Sequence, residues 1–140
     1  MQFDQVPSTR LDEEACRALL GTVRLGRIAL SEHALPMILP VAYACLDRDV
    51  VFQVSEPALV RAAHGNHVVC FEADLARADA ATNGVPVVAW TVAVIGQLSV
   101  ITEPVDLERC RALPRLTPPG PSAEFIRMSP ELFQGRLGPV

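Results

Sequence analysis

From Val85 to Ile101 the chain is a valine-rich run broken only by Pro86 and Gly96, and no other segment restricts the possible folds as much. Trp90, Val92, Val94, Leu98 and Val100 fall on one side of a period-two pattern, while Thr91, Gln97 and Ser99 fall on the other. That spacing predicts a strand with one apolar face. A strand this long bends, and Gly96 is the place for the bend or bulge because glycine tolerates the dihedrals required. Bent strands close sheets into barrels, so a small β-barrel is the architecture to expect.

The remaining elements are shorter. Asp12 to Leu20 reads as a helix, with acidic residues in its first turn, Leu11, Ala15 and Leu19 on one face, and Gly21 to end it. Strands are expected near Val23 to Leu30, Met37 to Leu46, Val50 to Ser55 and His67 to Asp74. Leu46-Asp47-Arg48-Asp49-Val50 has the polar residues of a hairpin turn, which makes the second and third of these antiparallel neighbours. In the fourth, Val69, Phe71 and Ala73 alternate with Cys70, Glu72 and Asp74, the pattern of a strand with one face buried. Val105 to Leu113 returns to helical spacing, and Pro114, Pro118, Pro119 and Pro121 then impose an extended connector. A strand from Ala123 to Met128 precedes a Ser129-Pro130-Glu131 turn, and Leu132 to Val140 adds one more short strand. Five or six antiparallel strands with short peripheral helices make an α+β, mainly β, single domain over 1–140, with 1–10 a loose N-terminal arm. No internal repeat is visible.

Composition excludes several functions. Half of the residues are apolar and 20% are charged, enough to build a core and too apolar for disorder. The apolar stretches Ala34 to Leu46 and Val85 to Ile95 fall short of the roughly 20 residues a spanning helix needs. Met1-Gln2-Phe3-Asp4 has no secretory pattern, so no membrane is expected and a cytoplasmic location is the default. The net charge of -4 argues against nucleic acid as a partner. All 12 cations are arginine, which rules out lysine Schiff-base chemistry and leaves any phosphate to arginine, hydroxyls or backbone N–H groups. Cys16, Cys45, Cys70 and Cys110 lie far apart, with no histidine at zinc spacing; they read as reduced, mostly buried thiols, and no metal site is expected. His33, His64 and His67 fall in or beside expected loops and read as solvated, with a place near a bound phosphate the other reading of His64 or His67, and neither a Ser-His-Asp set nor a glycine-rich phosphate loop is present.

Five segments in order carry a resemblance: Gly26-Arg27-Ile28-Ala29, Leu39-Pro40-Val41-Ala42-Tyr43, Val51-Phe52-Gln53-Val54-Ser55, Val68 to Asp74, and Ala89 to Gln97, followed by Ile126, Pro130 and Gly135-Arg136-Leu137. Together they resemble the pyridoxamine 5'-phosphate oxidase-like, FMN-binding split-barrel family over about residues 11 to 138. The resemblance implies a homodimer of six-stranded split barrels with FMN in clefts between the subunits. The flavin ring would lie against Pro40, Val41, Ala42 and Tyr43 on one strand and Phe52, Gln53, Val54 and Ser55 on the next, where an apolar slot meets free strand backbone.

The phosphate grip departs from the family. Where its members commonly carry a threonine or serine and a lysine, this chain has Val54 and Leu59. Candidate substitutes are Ser55, capping a helix that starts near Pro57, and Arg61 one turn along it, or Arg24 or Arg27 from the first strand. Glu56 at the same helix start would repel a phosphate. Arg27 is either a cofactor contact or a surface arginine paired with a cross-strand acid. Tyr43 reads as an amphipathic core edge whose hydroxyl reaches water, and Trp90 as packing, with cofactor contact the other reading. Glu72 and Asp74 read as an exposed strand face, and no catalytic residue is nominated. The implied function is an FMN flavoprotein acting as a small-molecule oxidoreductase, with no basic pocket for a pyridoxamine phosphate substrate. The alternatives are a non-catalytic module binding flavin, haem or deazaflavin, and a cofactor-free interaction protein.

Overall fold

A computed structural model describes residues 9–114 and 123–138. Seven strands and three helices follow one another as β1 (Thr9–Leu11), α1 (Glu13–Leu20), β2 (Leu25–Glu32), β3 (Leu35–Leu46), β4 (Asp49–Val54), α2 (Pro57–His64), β5 (Val68–Arg77), β6 (Val87–Val100), α3 (Pro104–Arg111) and β7 (Glu124–Leu137). A short 3-10 turn, Ala80–Thr82, joins β5 to β6. The sheet runs β1-β7-β4-β3-β2-β5-β6, and a further β7–β6 pairing closes it. Six strands thus form a closed antiparallel barrel, with β1 appended outside β7. β1 is a short strand at the edge of that ring.

The barrel interior is filled by the apolar faces read from the sequence. Val69, Phe71 and Ala73 of β5 and Val92, Val94 and Leu98 of β6 are buried, as are Ile28, Phe52, Ile126 and Met128 of the strands that complete the ring. Phe71 sits at the centre, edge-on to Tyr43 and Phe52 with ring centroids 4.8 and 5.4 Å apart. α1 begins where Asp12 accepts a bond from the Ala15 N–H at 2.8 Å. It packs Cys16 and Leu20 onto the core.

The β6–β7 ladder slips between Ile95 and Gly96, the irregularity expected at that glycine. A Cβ on Gly96 would run into the Ser129 carbonyl. Three expectations need correction. β7 is one continuous strand from Glu124 to Leu137, not two strands around a Ser129-Pro130-Glu131 turn. Pro130 lies opposite Gly96 at the slipped step, where a missing N–H is least costly. The arm is not wholly loose, because Thr9, Arg10 and Leu11 pair with Leu137, Arg136 and Gly135; residues 1–8 lie outside the described part, as do Pro118, Pro119 and Pro121 of the connector. The cysteines are all free, but only Cys16 and Cys110 are buried, while Cys45 is exposed. Among the described residues no helix is long and apolar enough to cross a membrane.

Candidate functional site

The barrel is split between β3 and β4. Their pairing covers Leu46↔Asp49 to Tyr43↔Phe52 and then stops. From Ala42 back to Leu35 β3 pairs only with β2, and from Gln53 onward β4 pairs only with β7. Pro36 and Pro40 fall in this one-sided stretch of β3, where a residue without an N–H is tolerated. The parted edges leave main-chain groups of Leu39 to Ala42 and of Gln53 and Val54 without a ladder partner on the side of the split.

A slot of about 240 Å³ opens there, lined by Leu39, Pro40, Val41, Ala42, Gln53, Val54, Ser55, Glu56 and Leu59. Val41, Val54 and Leu59, at 6%, 7% and 1% exposure, are core residues that also wall the slot. Gln53 and Ser55 have no side-chain hydrogen bond among the described residues, so an amide and a hydroxyl remain available to an occupant. An apolar slot with a few convergent polar groups and free strand backbone suits a planar heteroaromatic ring. A flavin ring fits these residues.

Of the ten expected site residues, six line the slot: Pro40, Val41, Ala42, Gln53, Val54 and Ser55. The other four point elsewhere. Tyr43 is a core residue, 1% exposed, and its hydroxyl donates to the Leu20 carbonyl at 2.6 Å rather than to water. Burial pushes its ionisation well above the usual tyrosine range. Trp90 is 5% exposed and packs in the barrel. Arg27 reaches Glu72 and Asp74, both at 3.3 Å, which is its cross-strand reading. Glu72 is held above the usual carboxylate range by its partial burial and by Asp74 beside it.

Arg61 is spoken for as well. Its Nε and Nη2 donate to the two oxygens of Glu32 at 3.1 and 2.7 Å, and this pairing holds the Glu32 carboxyl below its ordinary value. The cap of α2 is Glu56, not Ser55: the Glu56 carboxylate accepts from the Ala58 N–H at 3.4 Å. The helix start that was to receive a phosphate is occupied by a carboxylate.

Sequence reasoning missed a second cavity. A chamber of about 760 Å³ lies beneath α3, lined by residues that include Gln53, His64, Ile101, Thr102, Leu107, Arg111, Glu124 and Phe125. Gln53 borders both the slot and the chamber. His64 is paired with Glu124, Nε2 to Oε2 3.2 Å. The one signal for this chamber is Gln53 itself, a polar residue alternating with buried Phe52 and Val54 in β4. Among the described residues no cluster of histidine, cysteine and carboxylate side chains is arranged to hold a metal ion.

Comparison with known proteins follows the same lines. The family model described as Pyridoxamine 5'-phosphate oxidase matches residues 12–136. No curated protein sequence matches. Among solved structures, the FAD binding protein from Mycobacterium smegmatis is 27% identical, with 96% of this chain and 100% of that one covered and a TM-score of 0.75. A FAD-binding protein from Mesorhizobium loti is 19% identical, covering 92% and 96%, with a TM-score of 0.71. A FAD and heme binding protein from M. smegmatis shares the fold at 14% identity, covering 91% and 71%, with a TM-score of 0.68.

Proposed function

The chain belongs to the Pyridoxamine 5'-phosphate oxidase family, and from that premise we propose that it is a flavoprotein, a small-molecule oxidoreductase that is not itself a pyridoxamine phosphate oxidase. The observation that carries this reading is the parting of β3 from β4 at Gln53, which builds an apolar slot with polar groups open to an occupant at its edge. Val41, Val54 and Leu59 would exclude water from one face of the ring. The Gln53 amide and the free strand backbone would meet its polar edge. When bound, the flavin supplies the electron transfer; the protein positions it. FMN is the form expected of the family, and the relatives named for FAD extend the reading to the dinucleotide. Arg27 and Arg61 are both engaged by carboxylates, which supports a substrate without a phosphate.

A second copy of the chain would complete the site. Ile38, Ala29, Cys70, Ile95 and Leu132 stand opposite one another in a row across β3, β2, β5, β6 and β7. On the barrel's outer face Ile38 is 68%, Ile95 38% and Leu132 52% exposed, an apolar band that supports a homodimer. The four free thiols support a reducing, cytoplasmic setting.

An absorption spectrum of the purified protein tests the function. The reading expects flavin maxima as isolated or after adding FMN or FAD, bleaching by NADH or NADPH, and reoxidation by an acceptor. Colourless protein that binds neither flavin overturns it, and a Soret band in place of flavin absorption moves the protein to haem. Sedimentation at the mass of one chain removes the dimer.

A further inference from the structure

We infer that the chamber beneath α3 receives the anionic tail of the flavin, and that its size favours the dinucleotide over FMN. This rests on the flavin reading above and concerns where the rest of the molecule goes once the ring is in the slot.

Gln53 lines both cavities, so the tail of a ligand held in the slot has two neighbouring places to lie, the start of α2 and the chamber. Toward α2 it meets Glu56, which lines the slot and whose carboxylate already takes the Ala58 N–H at 3.4 Å. The cation one turn along that helix, Arg61, is held by Glu32 through two bonds. A phosphate placed there would face the Glu56 carboxylate, which already takes the Ala58 N–H, and an arginine committed to Glu32. Toward α3 a cation is on offer. Arg111 stands on the chamber wall with no ion pair among the described residues, and Thr102 offers a hydroxyl. The wall carboxylate, Glu124, is bonded to His64.

Size points the same way. The slot, at about 240 Å³, suits a ring system. The chamber, at about 760 Å³, is far larger than a ribityl phosphate requires and has an apolar floor of Ile101, Leu107 and Phe125 on which an adenine ring can lie. FMN alone would leave that floor uncovered.

Equilibrium dialysis of the full chain against riboflavin, FMN and FAD tests the inference. FAD is expected to bind about tenfold tighter than FMN, because its adenine covers the apolar floor that FMN leaves open. Arg111→Ala, at an exposed site, should weaken FMN and FAD alike by several-fold and leave riboflavin unchanged. Thr102→Trp, which fills the chamber, should bring FAD down to the FMN level and leave riboflavin unchanged. Equal affinity of FMN and FAD for the wild-type chain overturns the inference, as does an Arg111→Ala variant that keeps full FAD affinity. So does a severalfold gain in FMN binding on Glu56→Gln, because it would put the phosphate at α2. Failure of all three flavins to bind would instead remove the flavin reading itself.

Discussion

The slot and the chamber share a residue but are built from different material. The slot's walls are the barrel core at its mouth: Val41, Val54 and Leu59 belong to the same buried cluster as Phe71 and Tyr43. The chamber borders a small second cluster, Val51, Ile101 and Cys110, with half-buried Leu107, Leu113 and Phe125 against it. α3 is tied over that cluster by polar contacts, Arg127 to Asp106 at 2.9 Å and Arg109 to Asp47 at 2.7 Å. A cavity walled by a close-packed core has a fixed shape, whereas one roofed by a single short helix on a few side chains can adjust. In the proposed reading the split strand would set which ring is accepted, and the helix would adapt to what is attached to it.

Truncation on the two sides should show the largest difference. Leu59→Ala removes a fully buried side chain and should cost ~2–5 kcal/mol in urea unfolding. Leu107→Ala, half-buried, should cost ~1 kcal/mol. Equal losses would mean that the slot is no more rigid than the chamber.

Blocking each cavity gives the next effect. Ala42→Trp places an indole at the outer mouth of the slot from a half-buried position, so all three flavins should lose at least about tenfold in affinity with the fold intact by circular dichroism. Retained riboflavin binding would show that the ring lies elsewhere. A smaller effect is expected from Tyr43→Phe, which leaves the Leu20 carbonyl without its donor. Stability should fall by ~1–2 kcal/mol, while flavin affinity stays as it was because the hydroxyl faces α1 and not the slot. A Tyr43→Phe variant with altered flavin binding would contradict that orientation.

The β skeleton was legible because its signals are local. The alternation in β5 and β6 predicted the buried faces, and Gly96 marked the ladder slip, since only a residue without Cβ lets the Ser129 carbonyl so close. The Pro130 turn was misread because a proline's tolerance depends on which strand lies opposite it, which the local sequence does not contain. The β2–β3 turn was equally silent: His33 and Ala34 take φ of 54° and 63° without the usual Asn or Gly. In the site, the strand pair Pro40 to Ala42 and Gln53 to Ser55 followed from the family resemblance. The Arg61–Glu32 pair did not, because its partners lie 29 residues apart, and for Arg27 the choice between its two readings waited on a strand register that spans 45 residues. The chamber assembles from five separate stretches and carries no motif.

The smallest effect concerns the pair that keeps a cation away from the slot. Arg61 holds the Glu32 carboxyl below its ordinary value of 4.5. A carboxylate whose folded value is lowered contributes stability in full above its unfolded value, and that contribution is lost as pH falls through the folded one. Arg61 is exposed and Glu32 half-buried, so the contribution is slight and salt-sensitive. Glu32→Gln should flatten the acid limb of the pH–stability curve below about pH 4.5, leave the neutral plateau nearly unchanged, and lose its effect in high salt. Arg61→Ala should behave alike and alter FMN affinity less than about twofold, since a guanidinium committed to Glu32 has nothing left to offer a phosphate. A tenfold loss of FMN binding in Arg61→Ala with riboflavin unaffected would reverse the comparison, because it would show Arg61 leaving Glu32 for the ligand and the slot end, not the chamber, receiving the charge.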